Sequence, residues 1–131
     1  MKRPRIEAVP KQVDVVTLAD GRFATKPGIE LERFLDNILD IRDHIVAGRP
    51  LPEHYYRRST GRDYLLETRG WLHLHVGHDI DDDVLLIVEQ TPERVIFIGL
   101  TDHGIFRERP AGKSFARLGS RIAKAKLPAK R

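Results

Sequence analysis

The sequence contains no cysteine, which excludes disulfide bonds and thiolate chemistry. No apolar run approaches the roughly 20 residues that a transmembrane helix requires. The positive charges at the beginning are not followed by the hydrophobic core of a signal peptide. A chain of 131 residues is long enough to bury a core. We therefore expect one domain spanning 1–131, located in the cytoplasm and without a membrane partner.

Motifs of several common enzyme classes are also missing. The sequence has no P-loop, no Gly-x-Gly-x-x-Gly pattern and no Gly-x-Ser-x-Gly nucleophile elbow. The acidic stretch 79–83 lacks the glycine and the distal glutamate of a calcium-binding loop. A solvated hairpin turn is predicted there instead, and no small-molecule cofactor is expected.

Positive charge is in excess and is concentrated in three parts of the chain. The formal net charge is +4 and the pI is about 9.6. Lysines and arginines cluster in 2–5, 57–69 and 117–131. Such clustering favours a polyanionic partner, either a nucleic acid or an acidic protein. A basic surface that only contacts solvent is the alternative.

The spacing of apolar residues predicts an α+β domain. The stretch 71–106 holds three β-rich runs that predict a small antiparallel meander, and its last two runs are continuously apolar, as in strands covered on both faces. The helical period of 29–47 predicts an amphipathic helix, and 113–126 a second one. A hairpin is predicted over 13–25. The expected architecture is an antiparallel sheet packed against N-terminal and C-terminal helices.

Two histidines alternate with leucines in the first β-rich run. His73 and His75 are expected on the same face of the strand because side chains alternate, and His78 follows closely. This spacing permits a metal site. The same alternation is common where one face of an antiparallel sheet is solvated, and this interpretation is favoured. A small metal enzyme that uses the three histidines is the alternative, and no metal is expected.

Metal-free RNA cleavage is within the chemistry of the residue types present. It requires a base for the 2′-hydroxyl proton, an acid for the leaving oxygen, and cations for the charge that develops on phosphorus. Histidine serves in either proton-transfer role near neutral pH, and arginine binds phosphate through two hydrogen bonds. Residues that would suffice if they converge on one edge are His54, Arg57, Arg58, His73, His75, Asp102, His103 and Phe106.

Four motifs follow one another in the sequence: Leu51-Pro52-Glu53-His54-Tyr55-Tyr56-Arg57-Arg58 with Gly61, His75-Val76, Val84-Leu85-Leu86-Ile87 and Asp102-His103-Gly104-Ile105-Phe106. In this order they resemble the RelE/ParE superfamily of toxins from bacterial type II toxin–antitoxin systems, in particular the YafQ branch. The stretch 113–122 is similar to the C-terminal helix of the YafO branch. The resemblance covers under half of the chain.

The resemblance implies a RelE-like fold and a toxin that cleaves mRNA in the ribosomal A site without a metal. It implies a catalytic set of His103, His75, Arg58 and Asp102. It implies RNA contacts through Arg57, Arg69, Tyr56, Phe106 and His54. The implied partners are mRNA on the ribosome and an antitoxin protein that covers the basic edge. Relatives of the same fold that act on DNA gyrase cut nothing, so a non-catalytic nucleic-acid- or protein-binding module is the alternative.

Overall fold

The computed structural model describes residues 5–18, 21–56, 66, 69–79 and 82–116. Within these ranges the regular elements are, in chain order, β1 (Gln12–Val15), α1 (Leu35–Ala47), β2 (Leu72–His75), β3 (Leu85–Gln90), β4 (Arg94–Thr101) and a short helix, α2 (Lys113–Ala116). Three 3-10 segments accompany them: Leu31–Phe34, Glu53–Tyr55 and His103–Arg107. The protein is therefore α+β, as predicted.

The sheet has the order β1-β4-β3-β2. β2, β3 and β4 form the predicted antiparallel meander. β1 pairs with β4 in parallel, so the sheet is mixed and the expectation of a purely antiparallel sheet was wrong. β1 pairs along the outer side of β4, and Val13 of β1 and Val16 just after it are buried.

The hairpin predicted over 13–25 is present only in part. Thr17 and Phe23 form a single antiparallel bridge. Thr25 forms instead a parallel bridge to Leu100, so the returning segment runs beside β4 and not beside β1. The backbone of Ala24 accepts a hydrogen bond from Leu100 at 2.8 Å, which adds to this pairing.

Helix α1 follows from the spacing of its isoleucines. Ile38, Ile41 and Ile45 lie one helical turn apart and are all buried. The helix ends where Gly48 adopts a left-handed conformation, with φ of 75°, and its amide donates a hydrogen bond to the carbonyl of Ile45. The predicted amphipathic helix is confirmed, although its first turn, Leu31–Phe34, is a 3-10 helix.

Both faces of the sheet are covered, as the continuous apolar runs predicted. One apolar cluster joins α1 to Leu74, Leu86 and Val88 of the meander. A second cluster lies on the opposite face, where Ile87, Ile96 and Ile98 pack against residues of the segment 105–115. Because strands β3 and β4 are enclosed on both sides, polar chemistry in this meander is confined to the strand ends and the edge.

A β-bulge interrupts the pairing of β3 with β4. Val88 pairs with Phe97, but Ile87 pairs with Gly99, so Ile98 is an extra residue on β4. A Cβ atom on Gly99 would lie 2.5 Å from the carbonyl oxygen of Ala24. Only glycine fits at this position without moving the neighbouring backbone.

The described part of the C-terminal region begins the predicted second helix. Lys113–Ala116 are helical, and the Phe115 side chain is buried in the second apolar cluster. The remaining residues of the predicted helix, 117–126, lie outside the described residues. Among the helices of the described ranges, none combines the length and the apolar character needed to cross a membrane.

Candidate functional site

Three histidines meet where the meander ends at the sheet edge. Leu72 and Leu74 of β2 belong to the apolar cluster beneath α1, so His73 and His75 lie on the opposite face. His103 reaches the same place from the 3-10 segment that follows β4. One ring nitrogen from each of the three histidines lies within 4.8 Å of the others. Two distant parts of the sequence therefore form one imidazole cluster.

The four aromatic rings at this edge contact one another. The His75 and His103 ring centroids are 5.5 Å apart, and those of His73 and His75 are 5.3 Å apart. Phe106 stacks on His103 at 5.7 Å with an interplanar angle of 26° and meets the edge of His73 at 5.0 Å. The His73, His75, His103 and Phe106 predicted from the sequence are thus brought together.

The histidine face of β2 is not the solvated face that the alternation suggested. His75 is only 9% exposed. The Nδ1 atom of His73 and the Nε2 atom of His75 are shielded from solvent. The reason is the second apolar cluster, which contains Leu85 and Ile87, the register partners of His75 and His73. The expectation of an open polar face was therefore wrong.

Asp83 orients the His103 ring. Its carboxylate contacts the Nδ1 atom of His103 and also accepts hydrogen bonds of 3.2 Å from the backbone amide of that residue. A carboxylate at Nδ1 fixes the tautomer in which Nδ1 carries the proton and Nε2 has the lone pair. Nε2 of His103 is therefore the nitrogen that can accept a proton or bind a ligand.

Sequence reasoning assigned Asp83 to a solvated turn and missed this contact. The register of β3 against β4 explains why Asp83 lies beside His103. Leu85 of β3 pairs with Thr101 of β4, so the residues two positions before and two positions after this pair lie opposite each other. Those residues are Asp83 and His103.

Asp102, which was predicted as part of the catalytic set, makes contacts within its own segment and with Lys26. Its carboxylate accepts hydrogen bonds from Lys26 at 2.8 and 2.9 Å and from the Gly104 amide at 2.8 Å, which caps the 3-10 segment. Burial raises the pKa of Asp102, but the hydrogen bonds from Lys26 and Gly104 and the charges of Lys26 and Arg107 outweigh it and hold the pKa below its ordinary value. Asp102 thus stabilises the segment that presents His103.

Of the other residues predicted for RNA contact, two lie on the α1 side of the sheet, one contacts the segment that covers the histidine face, and two lie outside the described part of the chain. Tyr56 packs on the α1 side of the sheet, where its hydroxyl accepts a hydrogen bond from the Ile6 amide at 3.0 Å. The His54 ring contacts Tyr55 of the same cluster. Arg69 is half-buried and donates to the Ala111 carbonyl at 3.1 Å. Arg57 and Arg58 lie outside the described residues.

His78 does not join the imidazole cluster, although it was the third histidine of the metal-enzyme alternative. Its ring stacks on Phe34 at 5.5 Å, and its Nε2 atom contacts the carbonyl oxygen of Arg33. Among the residues that the structure describes, His103 supplies the third imidazole instead. The spacing within β2 identified two members of the group, and the third depends on the tertiary fold.

Two cations beside His103 also escaped the sequence analysis. Lys26 is paired with Asp102 and its side chain remains 45% exposed. Arg107 is exposed and belongs to the same 3-10 segment as His103 and Phe106. Together, the edge presents closely spaced imidazoles, a half-exposed aromatic ring and two cations, one of which is paired with Asp102. Imidazoles and cations can bind a phosphodiester and transfer protons to and from it.

Comparison of the chain with protein-family models, with curated proteins and with solved structures finds no match. The resemblance to the RelE/ParE superfamily therefore stays a prediction.

Gly77→Ala is expected to destabilise the turn that carries Asp83. A Cβ atom at this position would lie 2.0 Å from the carbonyl oxygen of Asp82. We expect the free energy of unfolding to fall by about 3 kcal/mol, which is at the upper end for overpacking. Gly21→Ala is the matched control, since it meets no atom within 4 Å and is strained only by its φ of 84°. That control should lose about 1 kcal/mol. Equal losses in urea denaturation would contradict the steric argument.

Proposed function

We propose that this chain is a metal-independent endoribonuclease and the toxin component of a type II toxin–antitoxin system with a RelE-like fold. The observation that carries the proposal is the convergence of His75 and His103 at the sheet edge, with ring centroids 5.5 Å apart and ring nitrogens within 4.8 Å. Two nitrogens at this separation can each lie within hydrogen-bond distance of one phosphodiester group.

The two imidazoles have different surroundings, and these suggest different roles. His103 is oriented by Asp83 with Nε2 as the acceptor, and its side chain is 43% exposed. It is the candidate base that takes the proton of the ribose 2′-hydroxyl. His75 is almost buried and is the candidate acid for the leaving oxygen.

The reaction needs no group beyond RNA and these side chains. The 2′-oxygen attacks the adjacent phosphorus as its proton passes to His103. The bond between phosphorus and the 5′-oxygen then breaks, and His75 donates a proton to that oxygen. The products are a 2′,3′-cyclic phosphate and a 5′-hydroxyl end. Charge and proton transfer thus balance between the two imidazoles.

Side chains beside His103 are candidates for binding the RNA substrate. Phe106 is half-exposed beside His103 and is the candidate ring on which a base stacks. Lys26 and Arg107 are the cations beside His103 that support phosphate binding. Arg57, Arg58 and Arg69 remain candidate phosphate contacts from the sequence. Ribosome-bound mRNA as substrate and an antitoxin that covers this edge complete the proposal, which implies a cytoplasmic location.

Induced expression in a bacterial host tests the biological activity. We expect growth arrest, and primer extension on a reporter mRNA should show new 5′ ends that depend on translation. Normal growth with intact mRNA, from soluble and folded protein, would contradict the proposal and would favour a non-catalytic binding module.

RNA substituted at one position tests the chemistry. A single 2′-deoxy nucleotide at the cleavage site removes the nucleophile, so cleavage there should be abolished in ribosomes programmed with that RNA. The unmodified RNA should be cut in the same Mg²⁺-containing buffer after addition of a chelator selective for Zn²⁺. Cleavage of the deoxy substrate at the same bond would exclude the 2′-hydroxyl mechanism.

A further inference from the structure

We infer that His73, His75 and His103 form a binding site for one zinc ion. The metal site considered from the sequence used His78, whereas the structure forms a different group from two elements. Three neutral imidazoles favour borderline-soft divalent ions such as Zn²⁺ over Mg²⁺ and Ca²⁺, which prefer oxygen ligands.

The geometry is close to that of a bound state. Tetrahedral zinc with Zn–N bonds of about 2.0–2.1 Å requires nitrogens roughly 3.3 Å apart. The three ring nitrogens already lie within 4.8 Å of one another. His73 and His75 are held on one strand, while the side chain of His103 is 43% exposed. Shifts of these imidazoles that shorten the separations by about 1.5 Å or less bring the nitrogens to the spacing that zinc requires.

The groups that surround the three histidines also resemble those around a metal site. Histidine ligands of zinc usually donate their second ring N–H to a carboxylate, which orients the ring and increases its basicity. Asp83 contacts Nδ1 of His103 in this way, which leaves Nε2 for the metal. The second apolar cluster beside His75 excludes water from one side of the site. A fourth coordination position would face the exposed side of His103.

Zinc binding has a consequence that rests on the proposed function. An ion bound to these imidazoles occupies the nitrogens of His75 and His103 that transfer protons. Zinc would therefore inhibit RNA cleavage, and its removal by a chelator would restore it. The site would make the activity of the chain responsive to the concentration of available zinc.

The binding itself is tested without RNA. Protein stripped with EDTA is titrated with ZnSO₄ by isothermal titration calorimetry, and Co²⁺ is used as a spectroscopic substitute. We expect one ion per chain and the intense visible absorption of tetrahedral cobalt. His103→Ala should weaken binding by at least about 100-fold, and Asp83→Asn by about 10-fold, the range for an outer contact. His78→Ala, which removes a histidine outside the cluster, should bind as the parent does.

Absence of saturable binding, or equal affinity in the parent and in both His103→Ala and His73→Ala, would overturn the inference. Folding of each metal-free variant is checked by its melting temperature, and His103 is exposed enough for its variant to fold. A separate cleavage assay distinguishes the two proposals. Zinc binding without any cleavage would uphold the site and reject the nuclease, whereas cleavage that requires zinc would uphold the site and reject the metal-independent mechanism.

Discussion

His103→Ala is expected to abolish growth arrest on expression and to reduce the rate of RNA cleavage by about 100- to 10,000-fold, the usual contribution of a general acid or base. The melting temperature should change little, because the side chain is 43% exposed and its main contact is with an Asp83 carboxylate that is 49% exposed. Growth curves, a cleavage assay and thermal denaturation measure the three quantities.

His78→Ala is the matched control for this result. It also removes an imidazole from the chain, but His78 contacts Phe34 and Arg33 and lies outside the cluster. The control should retain growth arrest. A His103→Ala protein that is stable and still toxic would reject the assignment of His103, whatever its effect on zinc binding.

Arg94→Met is expected to lower the free energy of unfolding by about 3–5 kcal/mol, the usual cost of breaking a buried ion pair. The Arg94 Nη1 atom lies 2.7 Å from Oδ2 of Asp14, and the Asp14 side chain is 3% exposed. The pair joins β1 to the first residues of β4, where Gln12 and Arg94 are register partners. Loss of the guanidinium removes the cation that Asp14 contacts at 2.7 Å, while the carboxylate stays buried. Urea denaturation measures the change.

The double variant Arg94→Met with Asp14→Asn separates the charge effect from packing. It removes both charges while Gln12, which donates to Asp14 at 2.9 Å, remains in place. Much of the lost stability should return. Arg5→Met is the exposed control, since Arg5 pairs with Glu53 at the surface, and it should leave the unfolding transition unchanged. If Arg94→Met unfolds like the Arg5 variant, the buried pair does not stabilise the β1–β4 contact.

The elements that the sequence predicted best are those whose side chains repeat with a local period. The isoleucines of α1 lie one helical turn apart, and residues 85–88 of β3 and 95–98 of β4 are continuously apolar, so helix, meander and two covered faces follow from short stretches. The parallel pairing of β1 with β4 depends on a contact between residues about 80 positions apart. No local pattern contains that information.

In the candidate site, too, some features can be predicted from the local sequence and others depend on the tertiary fold. His73 and His75 are recognisable as one face of a strand. His103 and Phe106 were placed at the end of a β-rich run, whereas the structure places them in a 3-10 segment. Their meeting, and the choice of Asp83 instead of Asp102 as the partner of His103, depends on how three strands align. The alternation of histidine with leucine suggested solvent around the first histidines, because the covering segment 105–115 lies far along the chain.

The bulge in β4 decides which side chain Asp83 meets. On the turn side of the bulge, Val88 faces Phe97 and Gln90 faces Val95. If that alignment ran on without Ile98 as an extra residue, every later partner would be displaced by one, and Asp83 would stand opposite Asp102. Two carboxylates would then repel each other where an imidazole is now oriented. One extra residue in the middle of β4 thus places Asp83 opposite the imidazole of His103, where it would otherwise face the carboxylate of Asp102.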